Sequence, residues 1–322
     1  MIDRTDFVKK QIVFYFPSQG DRMTFQNDNL VIKDQDKKTK YQVTCYRIFL
    51  VFVVGDTTIT TGLLSRAKKF GFSLCLMNRN MKMYQFISSR MEGNTILRKH
   101  QYDCQSMDVG RYIVQNKVQN QRAALMNLRH KNELLKDAIA SLDEHLKKLD
   151  LEDLDLNKIM GIEGSAARTY FPQMFSNVKW NGRKARIKCD YVNASLDIGY
   201  TILFNIIDAL LNVYGFDEYY GVLHRCFYMR KSLVCDLQEP FRPIIDYATR
   251  KAINLKQIKE EDFAVYNHKY VLEWKKSPEY TQIYLKAILE YKEELFVYIR
   301  EYYRAVMKQK PVSEYPIFLY RG

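Results

Sequence analysis

The sequence has no pair of cysteines at C-x-x-C spacing; its six cysteines are scattered at positions 45, 75, 104, 189, 226 and 235. That pattern excludes a thiolate-held structural zinc site and favours reduced thiols over a disulfide framework. Histidine is scarce, with five in the chain, so a site built from repeated histidines is also missing. Thirteen glycines, seven prolines and no low-complexity tract in 322 residues exclude a fibrous or disordered chain. Long hydrophobic runs are absent too. The longest, residues 48–54, is far short of a bilayer span, and the charged opening MIDRTDFVKK is not a secretory signal. A soluble, cytoplasmic protein is expected. Acid is in deficit, with 37 Asp+Glu against 50 Lys+Arg and a formal charge of +13. The surplus runs through the whole chain and points to a polyanionic partner, nucleic acid first and an anionic membrane second.

Apolar residues, by contrast, make up 47% of the chain, with 24 tyrosines and 18 phenylalanines, enough for a sizeable core. The first ninety residues read as β-rich. QIVFYF (11–16), NLVIK (29–33), YQVTC (41–45) and RIFLVFVV (47–54) are short β-branched or aromatic runs set between turn residues. TTGLLSRAKKFG (60–71) has helical spacing and a glycine stop, and SLCLMN and MKMYQFIS read as a hairpin. From about Asn94 the periodicity is helical almost throughout, with helices over 109–130, 132–149 and 278–307. The expected organisation is a β-rich N-terminal domain (1–87), a linker (88–94) and a larger all-α C-terminal domain (95–322), an α+β chain overall.

Four segments could carry chemistry or hold a nucleic acid. In GVLHRCFYMRKSLVCDLQEPFRP (221–243), His224, Asp236 and Glu239 interrupt a stretch whose Val222, Leu223, Phe227, Leu233, Val234, Leu237 and Phe241 read as core. Buried carboxylates are costly unless paired. The plain reading pairs Glu239 with Arg242 at i,i+3 and makes Asp236 a helix cap. Alternatively, an imidazole with carboxylates is a ligand set for Mg²⁺ or Mn²⁺, the histidine leaning towards Mn²⁺. In GIEGSAARTYF (161–171), Glu163 lies among small residues that would let a backbone approach closely; it could equally be a solvent-facing residue near a helix start. The basic run KWNGRKARIK (179–188) could track phosphates or be a solvated loop. Arg111, Lys117, Asn120, Gln121 and Arg122 could likewise be phosphate donors on one helix, or parts of an ordinary amphipathic one.

The order GIEGSAARTYF, DYVNASLDIGYTIL (190–203) and GVLHRCFYMRKSLVCDLQEPFRP resembles the CRISPR-associated integrase of spacer acquisition. That family carries G-x-E-G/A-x-x-A-R-x-Y-F, then D-P-x-N-A-x-L-x-x-G-Y, then G-x-L-H followed by S-L-x-x-D-L-x-E-x-F-R-P. FVVGDTTITTGLLSRAKKFGFSLCLMNRN and KVQNQRAAL (117–125) are similar to further family elements. The likeness spans about residues 48 to 250. Tyr191 stands where proline is usual, and Glu239 where some members have aspartate; no expected ligand is missing.

The resemblance implies two domains joined by a flexible linker, a homodimer formed through the N-terminal domains, and a small ferredoxin-like partner. It implies Glu163, His224 and Glu239 as ligands of Mg²⁺ or Mn²⁺, with Asp236 an accessory acid beside them. DNA contacts are expected from Lys117, Asn120, Gln121, Arg122, Arg168, Arg183, Lys184, Arg186 and Arg242. The implied reaction is transesterification, a fragment 3′-hydroxyl attacking a phosphodiester at the edge of a CRISPR repeat in double-stranded DNA. The same site would hydrolyse DNA with water. Two rivals are a branched-DNA repair nuclease and a DNA-binding homodimer without chemistry.

Overall fold

A computed structural model of the chain describes residues 4–79, 82–88, 94–104, 107–129, 131–151, 154–185, 187–224 and 227–322. It divides into two compact units, one of residues 1–94 with 208–216, the other of 95–207 with 217–322. Most of the expected linker, residues 89–93, lies outside the described residues.

The first unit begins with α1 (Arg4–Lys9) and holds two sheets. One has the order β1-β5-β6-β7, with β1 (Gln11–Tyr15), β5 (Ile48–Val54) and β6 (Ser73–Met77) parallel and β7 (Met83–Ile87) antiparallel to β6. The other is the antiparallel β2 (Arg22–Gln26), β3 (Asn29–Lys33) and β4 (Thr39–Thr44). All seven residues of β5 are buried, as an unbroken apolar run between two parallel neighbours requires. The connection from β5 to β6 is α2 (Thr61–Phe70). Thr60 caps its start by accepting from the Leu63 amide, and Gly71 ends it at φ 69°, where a side chain would be strained. RMTFQ, which forms β2, carries no turn-bounded alternation strong enough to have been recognised in the sequence.

The second unit contains α3 (Thr95–Asp103), α4 (Met107–Met126), α5 (Glu133–Leu149) and α6 (Leu156–Met174). Then come α7 (Tyr191–Tyr214), whose end belongs to the first unit, α8 (Ser232–Gln238) and α9 (Arg242–Asn254). The hairpin of β8 (Phe263–Tyr266) and β9 (Lys269–Leu272) precedes α10 (Ser277–Leu289) and α11 (Lys292–Met307). The expected single helix over 278–307 is therefore two, parted at Glu290 and Tyr291.

α7 is long and apolar enough to cross a membrane by composition, which a search for unbroken apolar runs misses. In its most apolar window, however, 83% of the residues are buried inside the protein, the pattern of a core helix. Gly199 allows the packing: a Cβ there would stand 2.5 Å from Ile245 Cγ2 and 2.7 Å from Tyr284 Cδ1. The expected fold class holds, a β-rich unit followed by a helical one, with one hairpin added to the latter.

Candidate nucleic-acid-processing site

Glu163 is placed by the periodicity of α6. Asp155 caps that helix through the Lys158 amide (2.8 Å), and Ile159, Ala166, Tyr170 and Met174 form its buried stripe. Position 163 falls on the same stripe, four residues from Ile159 and three from Ala166. Its carboxylate therefore points into the bundle, not out from the first turn. The small-residue reading is corrected in part: Ala166 is fully buried, but Gly161 and Gly164 have open space where a Cβ would sit.

Glu239 opens a 3-10 turn, Glu239–Phe241, that joins α8 to α9. Pro240 suits the first turn of such an element because its missing N–H would have had no partner there. The side chain of Glu239 is 5% exposed and meets two cations: Arg242 at 3.0 Å on Oε1 and Lys117 at 2.6 Å on Oε2. Lys117, from α4, is itself buried and also bonds Glu163. One ammonium thus bridges two carboxylates. Burial pushes the Glu239 carboxyl up, but Arg242 and then Lys117 outweigh it and bring it down to about 2. Burial would lower Lys117; the two carboxylates raise it instead.

Asp236 is fully buried in α8 and does not cap it. Oδ2 accepts from the amides of Val222 (2.7 Å) and Leu223 (3.0 Å), and Oδ1 from that of His224 (2.9 Å). His224 Nδ1 lies 2.6 Å from the same Oδ1. With its hydrogen on Nδ1, the imidazole leaves the Nε2 lone pair free for a ligand. Gly221 must lack a side chain, since a Cβ would come within 2.5 Å of Asp236 Oδ2.

A divalent ion can be tested against this donor set. Among the described residues no three His, Cys, Asp or Glu side chains stand together as ready metal ligands. The Lys117 ammonium, lying between Glu163 and Glu239, takes up the space where two of the expected ligands meet. Yet the donors are those a hard ion prefers, and two of them already converge on a cation. Glu239 Oε2 is buried with no hydrogen-bond partner, its approach to Lys117 being an ion pair out of hydrogen-bond alignment. The residues fit an ion once the ammonium moves aside.

The expected DNA contacts are redistributed. Asn120 and Gln121 are buried in this structure, as is Lys117. Asn120 Nδ2 donates to the carbonyls of Pro240 and Phe318, both at 3.0 Å, and Oδ1 accepts from the Tyr320 amide at 2.9 Å. Asn116 grips Phe318 from the same helix. Arg111 bonds the Leu149 and Leu151 carbonyls, and Arg122 pairs with Asp143 at 2.5 Å. Arg183 binds Asp197 at 2.6 Å and Asn193 at 2.9 Å, which ties the basic loop to the start of α7. Arg242 is committed to Glu239. Arg168 and Lys184 remain exposed, and Arg186 lies outside the described residues. Phe227, expected in the core, is 73% exposed, as are its neighbours Tyr228 and Met229.

Sequence reasoning missed the strap of residues 315–320 and the polar stripe that holds it. The signal was there: Asn116, Lys117, Asn120 and Gln121 share a helix face with Ile113 and Ala124, so they had to be buried. It also missed Asp246, which accepts from the hydroxyls of Tyr170 (3.0 Å) and Tyr200. The Tyr200 ring carries the Arg183 and Arg242 guanidiniums at 5.2 and 4.9 Å. Burial pushes Asp246 up to about 6, held back by the two hydroxyls. A raised carboxyl favours the folded state fully below its unfolded pKa of about 3.9, and that stability is lost as pH rises through about 6. Two units correspond to about 3 kcal/mol. The urea midpoint is expected to fall between pH about 4 and about 6, and Asp246→Asn should remove that fall. An unchanged pH profile in the variant would refute the assignment.

A cleft of about 660 Å³, lined by residues including Tyr247, Lys251 and Lys286, contains none of Glu163, His224, Asp236 or Glu239. The site is distinguished by convergent charge, not by volume.

Comparison with known proteins shows the family. CRISPR-associated endonuclease Cas1 2 of Rhodospirillum rubrum is 28% identical over 268 residues, 77% of this chain and 78% of that protein. A chain of a Cas6-RT-Cas1–Cas2 complex shares the fold with a TM-score of 0.78 at 21% identity, covering 96% of this chain and 36% of that one. A casposase bound to its integration product does so with a TM-score of 0.75 at 18% identity, covering 96% and 95%. The family model for CRISPR associated protein Cas1 matches residues 14–286, most of the chain, which therefore belongs to the Cas1 family.

Proposed function

We propose that this chain is a metal-dependent DNA integrase and endonuclease. It joins the 3′-hydroxyl of a short DNA fragment to the phosphodiester at the edge of a CRISPR repeat. The observation that carries the reading is the convergence of Glu163 and Glu239 on one cation, beside a histidine oriented by a buried aspartate. Glu163, Glu239 and His224 would hold Mg²⁺ or Mn²⁺, which supplies Lewis-acid polarisation of the phosphoryl oxygen and a lower pKa for the attacking hydroxyl. The protein's own residues set the stage. Asp236 fixes the imidazole's tautomer and direction through Nδ1. Arg242 holds the Glu239 carboxylate in its ionised form by pairing with Oε1. No serine or tyrosine is needed as a nucleophile, because the fragment brings its own hydroxyl.

Double-stranded DNA is the substrate, attracted by a chain whose formal charge is +13. A homodimer working with a small ferredoxin-like Cas2-type partner is the assembly; related chains are described in a Cas1–Cas2 complex and a Cas1–DNA complex. The deciding experiment offers the protein, with its partner, a fragment ending in a 3′-hydroxyl or a 3′-dideoxy nucleotide. Joined product should form only from the hydroxyl fragment. Equal product from both would overturn strand transfer and leave a nuclease.

A further inference from the structure

The two carboxylates that meet at Lys117 are charge-balanced as they stand. The carboxylates of Glu163 and Glu239 are met by the ammonium of Lys117 and the guanidinium of Arg242. The Lys117 side chain is 7% exposed and that of Glu239 5%, so solvent screens this pair little, while Glu163 and Arg242 are partly exposed. A divalent ion added to the four groups would give them an excess of two positive charges, of which the buried Asp236 carboxylate nearby offsets one, and the remainder is unfavourable in so buried a place. The ion would also compete for the carboxylate oxygens that the ammonium already holds. Either Lys117 leaves those oxygens, or a new anion arrives. A DNA phosphate is an anion that the reaction itself delivers to this spot, and a lysine on a flexible stem can turn to meet it.

We propose that Lys117 is an internal counter-ion that holds Glu163 and Glu239 together until metal and DNA arrive, and thereby makes their binding cooperative. This rests on the metal-dependent reading above. Without DNA, the ammonium competes with the ion. With DNA, the phosphate accepts the displaced ammonium and offsets the added charge, so each ligand favours the other by the same factor. Lys117 acts through the carboxylates and is in this sense a positioning residue. The arrangement also explains why a lysine sits on the buried face of α4, where an apolar residue would pack at lower cost.

The test measures Mn²⁺ binding by electron paramagnetic resonance, on the full chain, with and without a short phosphorothioate duplex that keeps the backbone charge and resists cleavage. In the native protein the duplex is expected to tighten Mn²⁺ binding at least about tenfold, a typical size for coupling between sites. Lys117→Gln should bind Mn²⁺ more tightly than the native protein when DNA is absent, and should lose most of the coupling. The native measurement needs no variant, so a misfolded Lys117→Gln, detected by circular dichroism, would not rescue the idea: no tightening by DNA overturns it. Equal coupling in a folded Lys117→Gln overturns it as well. Failure of Mn²⁺ to bind the native protein under either condition would instead overturn the metal-dependent reading.

Discussion

Replacing Glu239 with glutamine is expected to reduce both strand transfer and cleavage at least about a hundredfold, the scale on which a single transition-state-stabilising group acts. The same change should destabilise the helical unit. Glu239 is the anion on which Lys117 and Arg242 both depend, and only Glu163 would remain to share. Breaking a buried pair by removing one partner costs about 3–5 kcal/mol. The lowered pKa of Glu239 puts a second figure on the same pairing. With its carboxyl at about 2 in the folded protein and about 4.3 when unfolded, Glu239 contributes about 3 kcal/mol. The sign follows from the lowered pKa: the contribution is complete above about pH 4.3 and is lost as pH falls through about 2. Urea titrations of the native and Glu239→Gln proteins should therefore differ at neutral pH and converge in acid. A variant with native activity would remove Glu239 from the site; a variant of native stability would remove the ion-pair account.

The second large effect is expected at Asp236, whose oxygens accept from the amides of residues 222, 223 and 224 and face His224 Nδ1. Asparagine keeps the shape but turns one oxygen into a donor aimed at another donor. A buried unsatisfied group costs about 1–3 kcal/mol, and here both the new amide and a backbone N–H lose partners. The imidazole would also lose its orienting carboxylate, a change that typically lowers metal affinity or activity about 10–100-fold. Asp236→Asn should show both losses, read from the thermal midpoint and from Mn²⁺ affinity, with Glu163 and Glu239 untouched. Native Mn²⁺ affinity in this variant would mean that His224 needs no second partner.

Much of the fold was legible because it is written in local periodicity. The buried run of β5, the capped α2 and the amphipathic α4 and α5 all announce themselves over a dozen residues or fewer. The break at Tyr291 was not legible: both flanking segments keep helical spacing, and no proline or glycine marks the point. Phe227 misled for a related reason. Its apolar neighbours suggested core, but in the turn before α8 residues 227–229 carry their side chains outward. The three motifs and the helical spacing of Glu163 were in the sequence, and so was the i,i+3 pair of Glu239 and Arg242.

By itself the sequence determined the family, the β-rich and helical halves, and the set of acids and histidine that could do chemistry. Those depend on residue type and near-neighbour spacing. Only the tertiary structure decided that Asn120 holds the strap of residues 315–320, that Asp236 binds a loop and a histidine instead of capping its helix, and that one ammonium lies between Glu163 and Glu239. These contacts join segments far apart in the chain. Which groups meet across such distances is set by how α4, α6 and the α8–α9 bend pack together, and burial then makes each of those charges answer to the others.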